Sequence, residues 1–113
     1  MTSRNNEIAR CLVKLSEIFK CSFSVTLIND LIIENNSWVI IPTDRYIEFS
    51  NTGPITFNQI KWVDIDPITL ETIGKMISPK ITDSSEQIIN EITKSNLLYS
   101  FNDNKIRLAF QDY

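Results

Sequence analysis

The residues best suited to catalysis or metal binding are two aspartates, Asp64 and Asp66, in the stretch IKWVDIDP (60–67). Because successive side chains of a β-strand alternate between its two faces, residues at this spacing on a strand point to the same side. Two such carboxylates suit a hard divalent cation, given further oxygen ligands, or the sharing of a proton in acid–base catalysis. Structural interpretations compete with this one. Asp66 precedes Pro67 as a helix cap would, and Asp64 alternates with apolar residues as the solvated side of a strand does.

The residues that most other kinds of catalysis require are missing from this sequence. There is no histidine, which removes the most common general base and the most common metal ligand. Two glycines are too few for a glycine-rich phosphate loop, and two cysteines are too few for a zinc site without histidine. We therefore expect no catalytic residues, no metal and no cofactor, and a protein that is not an enzyme. The alternative is a metal-dependent hydrolase that uses Asp64 and Asp66 with a third carboxylate.

The charges are distributed unevenly along the chain. The net charge is −3, but residues 30–91 carry ten carboxylates against four cationic side chains, a local balance of −6. An acidic middle argues against nucleic acid, whose phosphates require Lys and Arg, and suits a basic protein partner. Tyr46 and Glu48 alternate with apolar neighbours in RYIEFS (45–50), so we expect this pair on an exposed strand face. The full set of residues expected to contact a partner is Asp44, Tyr46, Glu48, Asp64, Asp66 and Glu71.

The first half of the chain predicts one helix followed by strands. Apolar residues recur at three- and four-residue steps between residues 4 and 20, which is typical of a helix with one buried face. Short runs rich in β-branched residues then predict strands, at 23–28, 31–34, 37–41, 45–50 and 60–65. The connections between them are short, which favours antiparallel pairing.

The second half predicts more helix and a closing hairpin. Asp66 as cap and Pro67 as the first helical residue predict a helix over about 67–78, although Gly74 weakens it. A second start signal pairs Asp83 with Glu86, or Ser84 with Gln87, at capping-box spacing. Strands at 97–101 and 105–110 flank a turn at 102–104. The fold class predicted for residues 1–113 is a single α+β domain, with helices packed on one face of an antiparallel sheet.

Two tryptophans and two cysteines lead to expectations about burial and redox state, and the hydropathy of the chain leads to one about its cellular location. Trp38 and Trp62 are both expected in the core, with exposed anchors at a protein interface as the alternative. Cys11 and Cys21 are expected to be reduced, because two cysteines are too few for a disulfide scaffold. No apolar stretch approaches the ~20 residues of a membrane-spanning helix, and the charged N-terminus does not resemble a signal peptide. We therefore expect a cytoplasmic protein without membrane contact.

Two stretches and the overall character resemble known families. IKWVDIDP (60–67) and the hairpin LLYSFNDNKIRLAF (97–110) are similar to an uncharacterised bacterial domain family. As a small, acidic α+β domain rich in Ile and Asn, the chain resembles bacterial immunity proteins, such as those of contact-dependent growth inhibition systems. This resemblance implies a toxin inhibitor that binds one cognate toxin domain, often a nuclease, and covers its basic active-site region. A non-catalytic adaptor domain of a larger assembly is the alternative.

Overall fold

A computed structural model describes residues 4–43, 45–71 and 74–110 of the chain. Within these ranges, two α-helices and ten β-strands follow one another, with a short 3-10 helix at Phe57–Gln59. The helices are α1 (Arg4–Ile18) and α2 (Ser85–Lys94). The strands are β1 (Ser22–Leu27), β2 (Ile32–Asn36), β3 (Val39–Thr43), β4 (Tyr46–Phe49), β5 (Gly53–Thr56), β6 (Ile60–Asp66), β7 (Ile68–Glu71), β8 (Lys80–Asp83), β9 (Ser100–Asn102) and β10 (Lys105–Ala109).

The predicted α+β class with antiparallel strands is confirmed, and the strands are distributed over three sheets. The largest has five strands in the order β2-β1-β6-β10-β9. A second sheet contains β3-β4-β5, and β7 pairs with β8 alone in a two-stranded ribbon. All these pairings are antiparallel, as the short connections predicted.

A single core cluster joins the helices to the inner faces of the two larger sheets. Ile8, Leu12 and Leu15 of α1 are almost fully buried, as the predicted apolar stripe requires. Ile88 and Ile92 of α2 belong to the same cluster. Every second residue of these strands points into the core, because side chains of a strand alternate between its two faces. These residues include Phe23, Val25, Ile47, Phe49, Val63, Ile65, Ile106 and Leu108.

The predicted helix over 67–78 is wrong, because the start of this segment is a strand. Ile68–Glu71 pairs with Lys80–Asp83, and Leu70 lies directly opposite Ile81. The Asp66 carboxylate accepts a hydrogen bond from the Ile68 N–H at 3.1 Å, so Asp66 closes a turn between two strands and caps no helix. Isoleucine and threonine in both strands favour extended backbone, and the cross-strand pairing overrides the helical spacing of the apolar residues.

The second predicted helix and the hairpin are confirmed. The proposed capping boxes are not formed: the N-cap residue of α2 is Ser84, whose side chain makes no capping bond, and Asp83 accepts from the Ser85 N–H at 2.9 Å instead of from Glu86. At the hairpin, Asp103 and Asn104 have positive φ angles of 49° and 66°, which Asp and Asn tolerate better than most residues. The first hairpin strand is shorter than predicted and begins at Ser100.

A buried asparagine connects the two larger sheets. Asn36 has no exposed surface, and its amide nitrogen donates to the carbonyl oxygens of Phe23 and Ile33 at 3.2 and 3.1 Å. Its side-chain oxygen accepts from the Asn51 N–H at 2.8 Å, in the turn between β4 and β5. Through both the nitrogen and the oxygen of its side-chain amide, Asn36 therefore holds the end of β2 against the second sheet.

The cysteines, Trp38 and the helices each bear on an expectation from the sequence. Cys11 and Cys21 are free thiols, and both are buried. Trp38 is 44% exposed, so its predicted place in the core is wrong. Neither helix in the described part of the chain has the length and apolar character that crossing a membrane requires.

Candidate functional site: the open face of the five-stranded sheet

The side of the five-stranded sheet that faces away from the core cluster carries a groove of about 340 Å³. We call this side the open face. Strand alternation places Ser24 and Thr26 of β1 on it, because Phe23 and Val25 point into the core. By the same alternation β6 contributes Trp62 and Asp64, and β10 contributes Arg107.

An ion pair lies at the centre of the open face. Arg107 and Asp64 are directly opposite each other on β10 and β6. Arg107 donates from Nε to Asp64 Oδ1 at 2.7 Å and from Nη2 to Oδ2 at 3.0 Å, which is the two-pronged geometry that a guanidinium and a carboxylate prefer. The Asp64 side chain is only 9% exposed and that of Arg107 23% exposed. The bonds to Asp64 raise the pKa of Arg107 further above its ordinary value.

Trp62 completes this arrangement from the same face of β6. The guanidinium carbon of Arg107 lies 4.1 Å from the centre of the Trp62 ring, within the range of a cation–π contact. The residue opposite Trp62 on β10 is Ala109. Arg107 is thus held both by a carboxylate and by an aromatic face. Trp62 lines this groove and is only half-buried, so the prediction that Trp62 lies in the core is wrong.

Carboxylates surround the central pair. Asp30, Glu34 and Asp103 are exposed and line the groove, and Asp66 lines its extension beside Asp64. The cationic residues here are Lys105, Arg107 and Lys61, whose Nζ forms an ion pair with Asp30. Five carboxylates therefore face three cations, which leaves the open face with a local net charge of −2.

The predicted shared face of Asp64 and Asp66 is present, but their environments differ. Both residues line the same part of the groove. The expectation that Asp64 is solvated is wrong, because Arg107 engages both of its oxygens and the residue is 7% exposed. Asp66 is partly exposed and bonded to the Ile68 N–H. Within the described ranges, no three His, Cys, Asp or Glu side chains form a cluster that could hold a metal ion.

The other predicted contact residues lie elsewhere. Tyr46 is 41% exposed on β4 and Glu48 is partly exposed beside it, while Ile47 and Phe49 are fully buried, so the predicted alternation is confirmed. Both belong to the three-stranded sheet. Glu71 lies on β7 and forms an ion pair of 3.2 Å with Lys20. Asp44 lies outside the described residues. Of the predicted set, the structure brings together Asp64 and Asp66.

Sequence reasoning missed the partners that give the open face its character. Arg107 is 43 positions from Asp64, and no local pattern connects them. The signal available in the sequence is the alternation of Lys105, Arg107 and Ala109 with the apolar residues of β10, which indicates a polar strand face. Matching that face with the carboxylates of β6 required the strand order, in which β6 and β10 are neighbours.

Comparisons with known proteins identify the family of the chain. No curated protein and no solved structure matches it. A family model matches residues 6–109, which include every strand of the open face and both helices except for the first two residues of α1. The chain therefore belongs to DUF6678, a family of unknown function.

Proposed function

We propose that this chain is a non-catalytic protein-binding module whose open face receives a basic partner, and that the partner is a cognate toxin domain. The observation that carries the proposal is the open face itself. There the exposed carboxylates Asp30, Glu34 and Asp103 surround a half-buried tryptophan and an ordered ion pair. Aromatic residues encircled by charged groups are typical of the energetic centres of protein interfaces.

The electrostatics favour a cationic partner. A net negative groove attracts a basic surface during diffusional encounter and raises the association rate. The central Arg107 is already paired with Asp64, so it does not cancel the outer carboxylates. For a nuclease toxin, occupation of the basic cleft by this face would exclude the nucleic acid without any proton transfer by the inhibitor.

The fixed side chains at the centre of the groove also favour binding of a partner. Arg107 is held by two hydrogen bonds and by the Trp62 ring, so little side-chain freedom is lost when a partner covers it. Interfaces with such preorganised groups lose less conformational entropy on association. Ile32, which is 56% exposed at the edge of the same groove, adds apolar surface for a partner to bury.

Co-expression tests the toxin hypothesis directly. The probe is the product of the gene immediately upstream, where the toxin of an immunity protein would be encoded, and we expect rescue of growth and co-purification in a one-to-one complex. A variant with the substitutions D30N, E34Q and D103N removes three charges from the groove and should lose rescue. These replacements keep the shapes of the side chains, and Asn tolerates the positive φ angles of Asp30 and Asp103.

A matched control removes the same number of charges from other surfaces. The variant E17Q, E48Q and E86Q should retain rescue, because none of these residues lines the groove. Equal loss of rescue in both variants would show that net charge, and not the open face, is recognised. Failure of the wild-type chain to rescue growth while it still co-purifies would favour the adaptor alternative.

Tryptophan emission reports the contact surface independently. A W38F variant leaves Trp62 as the only tryptophan, and a W62F variant leaves Trp38. If the partner covers the open face, its addition changes the emission of Trp62 and leaves that of Trp38 unchanged. A response from Trp38 alone would move the interface to the region around β3.

A further inference from the structure

The ribbon formed by β7 and β8 exposes large apolar side chains on one side. Ile68, Leu70 and Ile81 share a face of the ribbon and are 45%, 66% and 68% exposed. Met76 and Ile77, between the two strands, are 97% and 61% exposed. Contiguous apolar surface of this kind marks an interaction site in soluble proteins.

The opposite side of the ribbon holds it to the body of the protein. The Thr69 hydroxyl donates to the Lys20 carbonyl oxygen, and Lys20 Nζ contacts Glu71 at 3.2 Å. Both contacts lie on the Thr69 side, so the side with Ile68, Leu70 and Ile81 remains exposed. A ribbon of two strands has little stability by itself, and a further strand would stabilise it.

The outer edge of β8 has the geometry to accept that strand. The Ser84 N–H donates to the Pro67 carbonyl oxygen at 3.0 Å, toward β7. Since backbone groups of an antiparallel strand alternate in direction, those of Ile81 and Asp83 point away from β7. Among the described residues, no strand pairs with this edge. An exposed edge of this kind is a template for an added extended chain.

The charge balance of the ribbon favours a second copy of the chain as the occupant. β8 carries one cation, Lys80, and one carboxylate, Asp83, so two copies of this strand meet without a net charge. Between residues 68 and 83, two carboxylates balance two lysines, so this region does not repel its own copy. The five-stranded sheet differs, because Glu34 lies in one edge strand, β2, and Asp103 directly follows the other, β9. Self-pairing at either edge would bring like charges together.

We propose that two copies of the chain associate through antiparallel pairing of β8 with β8, joining two ribbons into a four-stranded sheet. Centred on Ile81, this pairing lets the two Ile81 residues exchange both backbone hydrogen bonds. It also places Ile68, Leu70 and Ile81 of the two copies on one continuous face. The inference is independent of the proposed function, because the open face remains free and the dimer would present it twice.

Sedimentation equilibrium on the full chain tests this association, over concentrations from about 1 µM to about 1 mM. We expect a monomer–dimer equilibrium in that range. The substitution I81K places a lysine at the joint and should raise the dimer Kd by about 100-fold, and L70K, one strand away on the same face, should raise it by a smaller factor. K80E should weaken the dimer by about 10-fold, because β8 of each copy then carries two carboxylates and no cation. The matched control is L98K, which changes a side chain that is 78% exposed outside the ribbon and should leave Kd unchanged.

Amide hydrogen exchange on the wild-type chain provides a test without substitutions. The amides of Ile81 and Asp83 should exchange more slowly as protein concentration rises, while the amide of Ser84, already bonded to Pro67, should not change. A chain that is monomeric at every concentration overturns the proposal. So does a dimer that survives both I81K and L70K, or whose formation leaves the exchange of the Ile81 amide unaltered.

Discussion

Arg107 and Asp64, on neighbouring strands of the open face, are joined by two hydrogen bonds of 2.7 and 3.0 Å. Both side chains are largely shielded from solvent, so each charge depends on the other for compensation. Removing one partner from such a pair leaves an uncompensated charge, whereas replacing both by apolar side chains is much less costly. The pair is therefore a structural element of the sheet as well as the centre of the candidate site.

A double-mutant cycle measures this dependence. We expect D64L and R107M each to lower the free energy of unfolding by about 2–3 kcal/mol. The double variant should lose less than the sum of the two, since neither charge is then left alone. Urea unfolding followed by circular dichroism supplies the four values. Additive losses would mean that the two side chains contribute through packing and not through the ion pair.

Loss of the Asn36 side chain should destabilise the junction of the two larger sheets. The substitution N36A leaves the carbonyl oxygens of Phe23 and Ile33 and the N–H of Asn51 without their bonds. Because Asn36 is fully buried, we expect a loss of about 2–4 kcal/mol in unfolding free energy, measured by urea denaturation.

The matched control for Asn36 is an exposed asparagine. Asn58 accepts one bond from the Thr56 hydroxyl at the surface, so N58A should change the unfolding free energy by less than about 0.5 kcal/mol. Similar losses in the two variants would contradict the role of Asn36 as a buried link.

Local patterns predicted the elements whose stability is local. The three- and four-residue spacing of Ile8, Leu12 and Leu15 predicted α1, and the Asn and Asp residues at 102–104 predicted the hairpin turn. In both cases the residues that decide the structure are close together in sequence. The alternation of Tyr46 and Glu48 with Ile47 and Phe49 is of the same kind.

The failures concern interactions between distant parts of the chain. Residues 67–78 have the capping signal and apolar spacing of a helix, but pairing with Lys80–Asp83 makes Ile68–Glu71 a strand. Asp64 resembled a solvated strand residue because its compensating charge, Arg107, lies on a strand 43 positions later. Trp38 illustrates the same limit, since an apolar residue beside a strand has no local signal that separates core from surface.

Burial should make both cysteines unreactive in the folded protein. Desolvation raises the pKa of Cys11, and raises that of Cys21 from 9.0 to about 11, so very little thiolate is present at pH 8. We expect alkylation of both thiols to be at least about 100-fold slower in the native chain than in urea. Mass spectrometry after timed labelling gives the two rates.

The Cys21 shift also predicts a loss of stability in alkali. As pH rises from 9 toward 11, the unfolded chain releases the thiol proton before the folded chain does, so the free energy of unfolding decreases. In a C21A variant this part of the decrease should be absent. Rapid native labelling of Cys21 at pH 8 would show that the residue is more accessible than the structure indicates.

The final prediction concerns acid and the contact between the two helices. Glu91 of α2 lies between Lys14 of α1, at 2.8 Å, and Lys94, at 3.6 Å. The contact with Lys14 lowers the pKa of Glu91 below its ordinary value of 4.5, so the folded chain favours the carboxylate more than the unfolded chain does. The resulting stabilisation is complete above about pH 5 and is lost as pH falls through the lowered pKa.

Substitution E91Q should therefore reduce stability at pH 7 and have progressively less effect toward pH 3, where the wild-type carboxylate becomes protonated. Urea midpoints at pH 7, 5, 4 and 3 measure the difference between the two proteins. The control is the same substitution in a K14Q background, in which the pH dependence of the difference should be much smaller because the main cause of the shift is absent. If the effect of E91Q were instead constant from pH 7 to pH 3, Glu91 would act through packing between α1 and α2, and its charge would contribute nothing.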